Sequence, residues 1–126
     1  MPAYLHISVR GAILVLLFLL LASWRFGAAQ LQGKWQCDTK SGKLDATTTY
    51  EVACDGFLIF KPDQTLESTC IDGFFPSGTY WEVVGNRLIL KDSDGQGFAD
   101  FEILKVDDLQ LLLFRKGETY TFRKVN

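Results

Sequence analysis

The side chains of this chain that could do chemistry are few. Asp100 and Glu102 stand two apart, Asp92 and Asp94 share a glycine-rich turn, and Cys37, Cys54 and Cys70 are the three cysteines. Paired carboxylates serve acid–base catalysis, acidic loops hold calcium, and thiols act as nucleophiles or form bridges. Each reading meets an objection. Asp100 and Glu102 alternate with Phe101 and Ile103, which places them on the solvent side of a strand with no third group to form a site. A calcium loop beginning at Asp92 would put Asp94 at its third position and Gly97 at its sixth. Its twelfth position, where a bidentate glutamate is required, is Ile103. Lys91–Gly97 therefore reads as a solvated hairpin turn. The single histidine, His6, lies near the start of the chain, inside a segment read below as a leader. Without imidazole, Ser-His-Asp, Cys-His and histidine–metal sites are excluded from the rest. No catalytic residue, metal or cofactor is assigned, and an enzyme is the disfavoured class.

Residues 1–29 read as a signal peptide. Arg10 closes a short n-region, Gly11 to Trp24 is an uncharged, mostly apolar run, and Gly27, Ala28 and Ala29 supply small residues for a cut before Gln30. The alternative is an uncleaved leader acting as an anchor. The run between Arg10 and Arg25 is fourteen residues, short of the roughly 20 a spanning helix needs. The remaining chain, 30–126, has the size of one small domain. Losing Arg10 and Arg25 moves the formal net charge from −2 to −4. No basic run stands out, so nucleic acid and anionic membrane surfaces are poor partners. The leader predicts a secreted or periplasmic protein.

After the leader the chain reads as strands throughout. Alternation or short apolar runs occur over residues 33–38, 48–60, 65–70, 78–84, 87–91, 98–105, 109–115 and 119–124. Pro62-Asp63, Gly85-Asn86, Asp94-Gly95, Asp107-Asp108 and Lys116-Gly117 mark the turns between them. Residues 40–46 read as a short helical turn or an open loop. Counting 48–60 as one strand bent at Asp55-Gly56 gives eight. Eight sequential antiparallel strands with tight hairpins predict an all-β, up-and-down barrel, with a two-sheet sandwich as the alternative. Alternation points Trp35, Leu58, Phe60, Leu66, Trp81, Val83, Leu88, Leu90, Phe101, Ile103, Leu111, Leu113, Tyr120 and Phe122 inward. So bulky a set is able to fill a small barrel by itself.

Four motifs occur in order: Gly33-x-Trp35; F-K-P-D-Q-T-L-E-S-T from Phe60 to Thr69; G-T-Y-W-E-V-V-G-N-R-L-I-L from Gly78 to Leu90; and the closing E-T-Y-T-F-R-K. Together they resemble small bacterial lipocalin-like domains across nearly all of residues 31–124. The resemblance implies a calycin-type barrel in which Trp35 plugs the closed end, Gly33 permits close approach, and a basic residue of the last strand lies on the indole. That residue is Arg123, or Lys124 if the register is off by one. It also implies a non-enzymatic binding protein for a small apolar or amphipathic ligand, held in a cavity open at the end away from Trp35. The chain is much shorter than a classical lipocalin, which implies a shallow cup.

Two further expectations concern specific side chains. If the Asp63 turn pairs Phe60 with Leu66 and Leu58 with Ser68, then Cys54 and Cys70 share a face. That register favours a Cys54–Cys70 disulfide, leaves Cys37 as the odd thiol, and puts Cys37–Cys54 second. Phe74 and Phe75, in the connection before Pro76, read either as a portal over the barrel mouth, with Trp81 lining the ligand site behind it, or as a plug of one end. The competing function is a protein-binding module, such as a periplasmic or secreted hydrolase or protease inhibitor. It would have a solid core and act through a loop or through Gln30-Leu31.

Overall fold

The structure is a computed structural model that describes residues 27–69 and 75–126; Cys70, Phe74 and most of the segment read as a leader, residues 1–26, lie outside the described residues. A helical turn, α1 (Ala28–Leu31), precedes β1 (Gly33–Lys43), β2 (Thr49–Ala53), β3 (Phe57–Phe60), β4 (Thr65–Thr69), β5 (Thr79–Val84), β6 (Arg87–Lys91), β7 (Gly97–Val106), β8 (Gln110–Arg115) and β9 (Glu118–Val125). All pairings are antiparallel; β1 pairs with both β2 and β3, successive strands pair from β3 to β9, and β1 also pairs with β9. That last ladder closes the sheet into a barrel and leaves no sandwich.

β1 organises the closure. One edge pairs with β9. The other pairs with β3 through Gly33–Gln36 and with β2 through Thr39–Lys43. β2 and β3 are therefore one bent stave, and the barrel has eight. The bend falls at the glycine where it was expected: Gly56 has φ 103°, a conformation that suits glycine, and its carbonyl accepts the Cys37 N–H at 2.9 Å. β1 runs further than the sequence suggested. Lys40 to Lys43, read as a turn or loop, are strand because partners on both edges satisfy the backbone there as far as Ser41. The reversal comes afterwards, where the Asp45 carboxylate accepts N–H bonds from Thr47 and Thr48 at 2.9 and 2.8 Å.

The alternation is legible in the burial. Each residue assigned inward from the sequence is buried, except Val83, which is half-buried and packed against the core. The β3–β4 hairpin has the expected register, Phe60 opposite Leu66 and Leu58 opposite Ser68. Gly85-Asn86 forms the two-residue connection between Val84 and Arg87.

Several turns rest on aspartates, and the lowered carboxyls of Asp45, Asp63 and Asp107 give a pH prediction. Asp107 accepts the Gln110 and Leu109 N–H groups at 2.7 and 2.8 Å, which hold its carboxyl below its ordinary value. Asp63 is lowered in the same direction by the Thr65 hydroxyl and N–H, and Asp45 by Thr47 and Thr48. A carboxylate with a depressed folded-state pKa contributes stability that is present above the unfolded value and lost as pH falls through the folded one. The melting temperature should therefore fall as pH drops below the ordinary value of 3.8. Asp107→Asn, which keeps the acceptor without the charge, should flatten that fall in a scan of melting temperature against pH.

Candidate binding site

The two ends of the barrel are built differently. At the end where β1 begins, Trp35 is fully buried and its indole N–H donates to the Leu31 carbonyl at 2.8 Å. Leu31 is itself fully buried in the same core cluster. The Lys124 ammonium lies 4.5 Å from the Trp35 ring centroid and donates to the Gln32 carbonyl at 2.6 Å. Gly33, at φ 118°, is what admits it, because a Cβ there would stand 2.6 Å from Nζ. The cation over the indole is Lys124 and not Arg123. In the β1–β9 ladder Trp35 faces Lys124 and Gln36 faces Arg123. Residues directly opposite share a face of the sheet. Arg123 therefore points outward, where its Nε pairs with Asp38 at 2.9 Å.

The disulfide also differs from the preferred pairing. Cys37 and Cys54 are bridged, with Cα atoms 5.3 Å apart. The β3–β4 register that favoured Cys54–Cys70 is correct, and among the described residues it runs to Phe57 opposite Thr69. Beyond the Gly56 bend the chain follows β1 instead, and the Cys54 N–H donates to the Asp38 carbonyl at 3.0 Å. That bond sets Cys54 beside Cys37.

At the other end, the connection between β4 and β5 delivers Phe75 into the barrel. Its ring stacks on Phe101 at 4.7 Å and meets Tyr120 and Phe122 edge-on at 5.6 and 6.1 Å. Only 2% of Phe75 is exposed, although it is carried by a connection and not by a strand. The Ser68 hydroxyl donates to the Phe75 carbonyl, the Thr79 hydroxyl to Pro76 at 2.9 Å, and the Gly78 N–H to Leu66 at 2.9 Å. These bonds fix the descending limb of the connection. Along β9, Phe122 and Tyr120 are the next two inward positions above Lys124, so Phe75 caps the barrel from the side opposite Trp35.

The expected open cavity lined by Phe75 and Trp81 is not the arrangement observed. Trp81 is 1% exposed, sits edge-on to Phe60 at 5.2 Å, and gives its indole N–H to the Thr65 carbonyl at 3.1 Å. It belongs to the core beside the β3–β4 hairpin, in the same buried cluster as Phe75. The large inward side chains pack the interior themselves.

A polar rim above the aromatic cluster was not foreseen from the sequence. The Glu118 carboxylate receives the Lys40 ammonium and the Tyr50 hydroxyl, each at 2.9 Å. Lys40 faces Tyr120 across the ladder, so this charged group lies directly above the ring that Phe75 touches. Gly42 is the hidden requirement: a Cβ there would meet the Tyr50 hydroxyl at 2.8 Å. The one available signal was a glycine inside a run that is strand, which often marks close approach. Because residues 40–46 read as a loop, that signal carried no weight.

Strand order, closure and the Trp35 plug define a lipocalin-like barrel. Two solved structures share the fold. A lipocalin-like protein from Bacteroides uniformis ATCC 8492 matches with a TM-score of 0.54 at 21% identity, over 76% of this chain and 99% of that one. An uncharacterized protein from Bacteroides eggerthii DSM 20697 matches with a TM-score of 0.54 at 17% identity, over 75% of this chain and 99% of that one. No protein-family model and no curated protein matches the chain. Among the described residues, no helix is long and apolar enough to cross a membrane.

Proposed function

We propose that the protein is an extracytoplasmic, non-enzymatic binding protein for a small apolar or amphipathic molecule, admitted at the mouth when Phe75 withdraws. The observation that carries this reading is the aromatic box itself. Phe101, Tyr120 and Phe122 hold a ring supplied by a connection, so the box exchanges one apolar occupant for another without moving a strand. The Lys40–Glu118–Tyr50 rim above it would meet the polar end of an amphipathic ligand. The Cys37–Cys54 bridge supports the compartment, since such bonds persist outside the cytosol, and so does the leader-like segment 1–29.

The test is a fluorescence titration with phenyl-naphthylamine, an uncharged apolar probe. Burial of a phenylalanine contributes about 1.5–3 kcal/mol, so the plugged state reduces apparent affinity about 10- to 100-fold. Wild type should bind saturably, and Phe75→Ala should bind tighter by about that factor. Absence of saturable binding to wild type would overturn the proposal.

The solid core favours one other reading, a protein-binding module that acts through a loop. Its Gln30-Leu31 version is opposed by the complete burial of Leu31. A stoichiometric protein partner recovered from native envelope or culture fluid, together with no probe binding, would select that reading.

A further inference from the structure

We propose a second, external binding site for a flat organic anion, in the notch between the end of β1 and the β8–β9 turn. It adjoins the rim of the Phe75 box, sharing Tyr50 and Glu118 with it, but lies outside the ring cluster. The β1–β9 ladder ends at Ser41 opposite Thr119, whereas β1 continues to Lys43 in its ladder with β2. The two hairpins therefore splay apart and leave a groove of about 570 Å³, within the range of small-molecule sites. Tyr50 and Phe114 supply its apolar walls. Lys43 and Lys116 supply its cations, and neither has an ion-pair partner among the described residues.

The carboxylates nearby do not cancel them. Glu118 is committed to Lys40 and Tyr50. Glu51 lines the adjoining groove along β2 together with Lys43, and it forms no ion pair with that lysine. The notch thus presents two lysines without carboxylate partners, beside two aromatic faces, on a chain whose formal net charge is negative.

Lys116 adds an independent observation. It occupies the first turn position with φ 49°, followed by Gly117 at 80°. Asparagine or glycine is the residue such a turn prefers, and a lysine there is strained. A lysine held where the backbone disfavours it places an ammonium at the lip of the groove. The occupant is therefore a planar apolar body bearing one carboxylate or sulfonate.

The probe is naphthalene carboxylate, with naphthalene carboxamide as its uncharged control, followed by amide chemical shifts and calorimetry on the intact chain. The carboxylate should bind with shifts at Lys43, Tyr50, Phe114 and Gly117. It should bind more tightly than the carboxamide and weaken with salt. Lys43→Gln and Lys116→Asn should each weaken it about two- to five-fold, the effect of one exposed ion pair. Lys116→Asn should raise the melting temperature at the same time, because asparagine suits the turn. Equal affinity for acid and amide, shifts centred elsewhere, or unchanged affinity in both variants would overturn the proposal. Phenyl-naphthylamine binding should be unchanged in Lys43→Gln and Lys116→Asn, which separates this site from the box.

Discussion

Trp35→Ala should destabilise the protein by about 3–5 kcal/mol, the range for removing a fully buried tryptophan. More than the indole is removed. The Leu31 carbonyl is left without its donor, and the Lys124 ammonium without the ring beneath it. Urea unfolding of the variant and of wild type measures the difference. Trp35→Phe should recover part of the stability, because it restores apolar volume but no indole N–H. Arg123→Ala should change stability little, because its ion pair with Asp38 is solvent-exposed. Lys124→Ala should cost more than Arg123→Ala. That order follows from the register and reverses the assignment made from the motif alone.

The second large effect belongs to the bridge. Cys37 and Cys54 are separated by 17 residues, and closing a loop of that size restricts the unfolded chain by about 3 kcal/mol. Cys54→Ser should lower stability by about that amount, and a reducing agent should do the same to wild type. Peptide mapping without reduction should recover Cys37 linked to Cys54. A map linking Cys54 to Cys70 would contradict the arrangement of β2 along β1.

The barrel was legible because its signals are local. Alternation set the inward face, glycine pairs set the hairpins, and the Asp63 turn set the β3–β4 register. The misassignments arose where a non-local pairing decides. Whether Arg123 or Lys124 covers Trp35 depends on how the first strand meets the last, and no turn connects those two to fix the offset. Cys54 was carried toward Cys70 by extending a correct hairpin past Gly56, at a bend where the chain changes partner. Residues 40–43 contain Gly42 and little apolar alternation, so only their two neighbours make them strand. The rim of Lys40, Tyr50 and Glu118 joins residues from β1, β2 and β9, and no short motif contains it. Phe75 was visible as an unusual residue in a connection, but its role depended on which rings the closed sheet placed beneath it.

The central claim is that a ligand takes the place of Phe75 among Phe101, Tyr120 and Phe122. The most direct measurement is an isotope-filtered NOE experiment on the wild-type chain with bound phenyl-naphthylamine. The proposal predicts NOEs from the probe to the ring protons of Phe101, Tyr120 and Phe122, and the disappearance of the Phe75–Phe101 ring NOE when the probe binds. Probe NOEs confined to outward-facing residues, with Phe75 still stacked on Phe101, would contradict it.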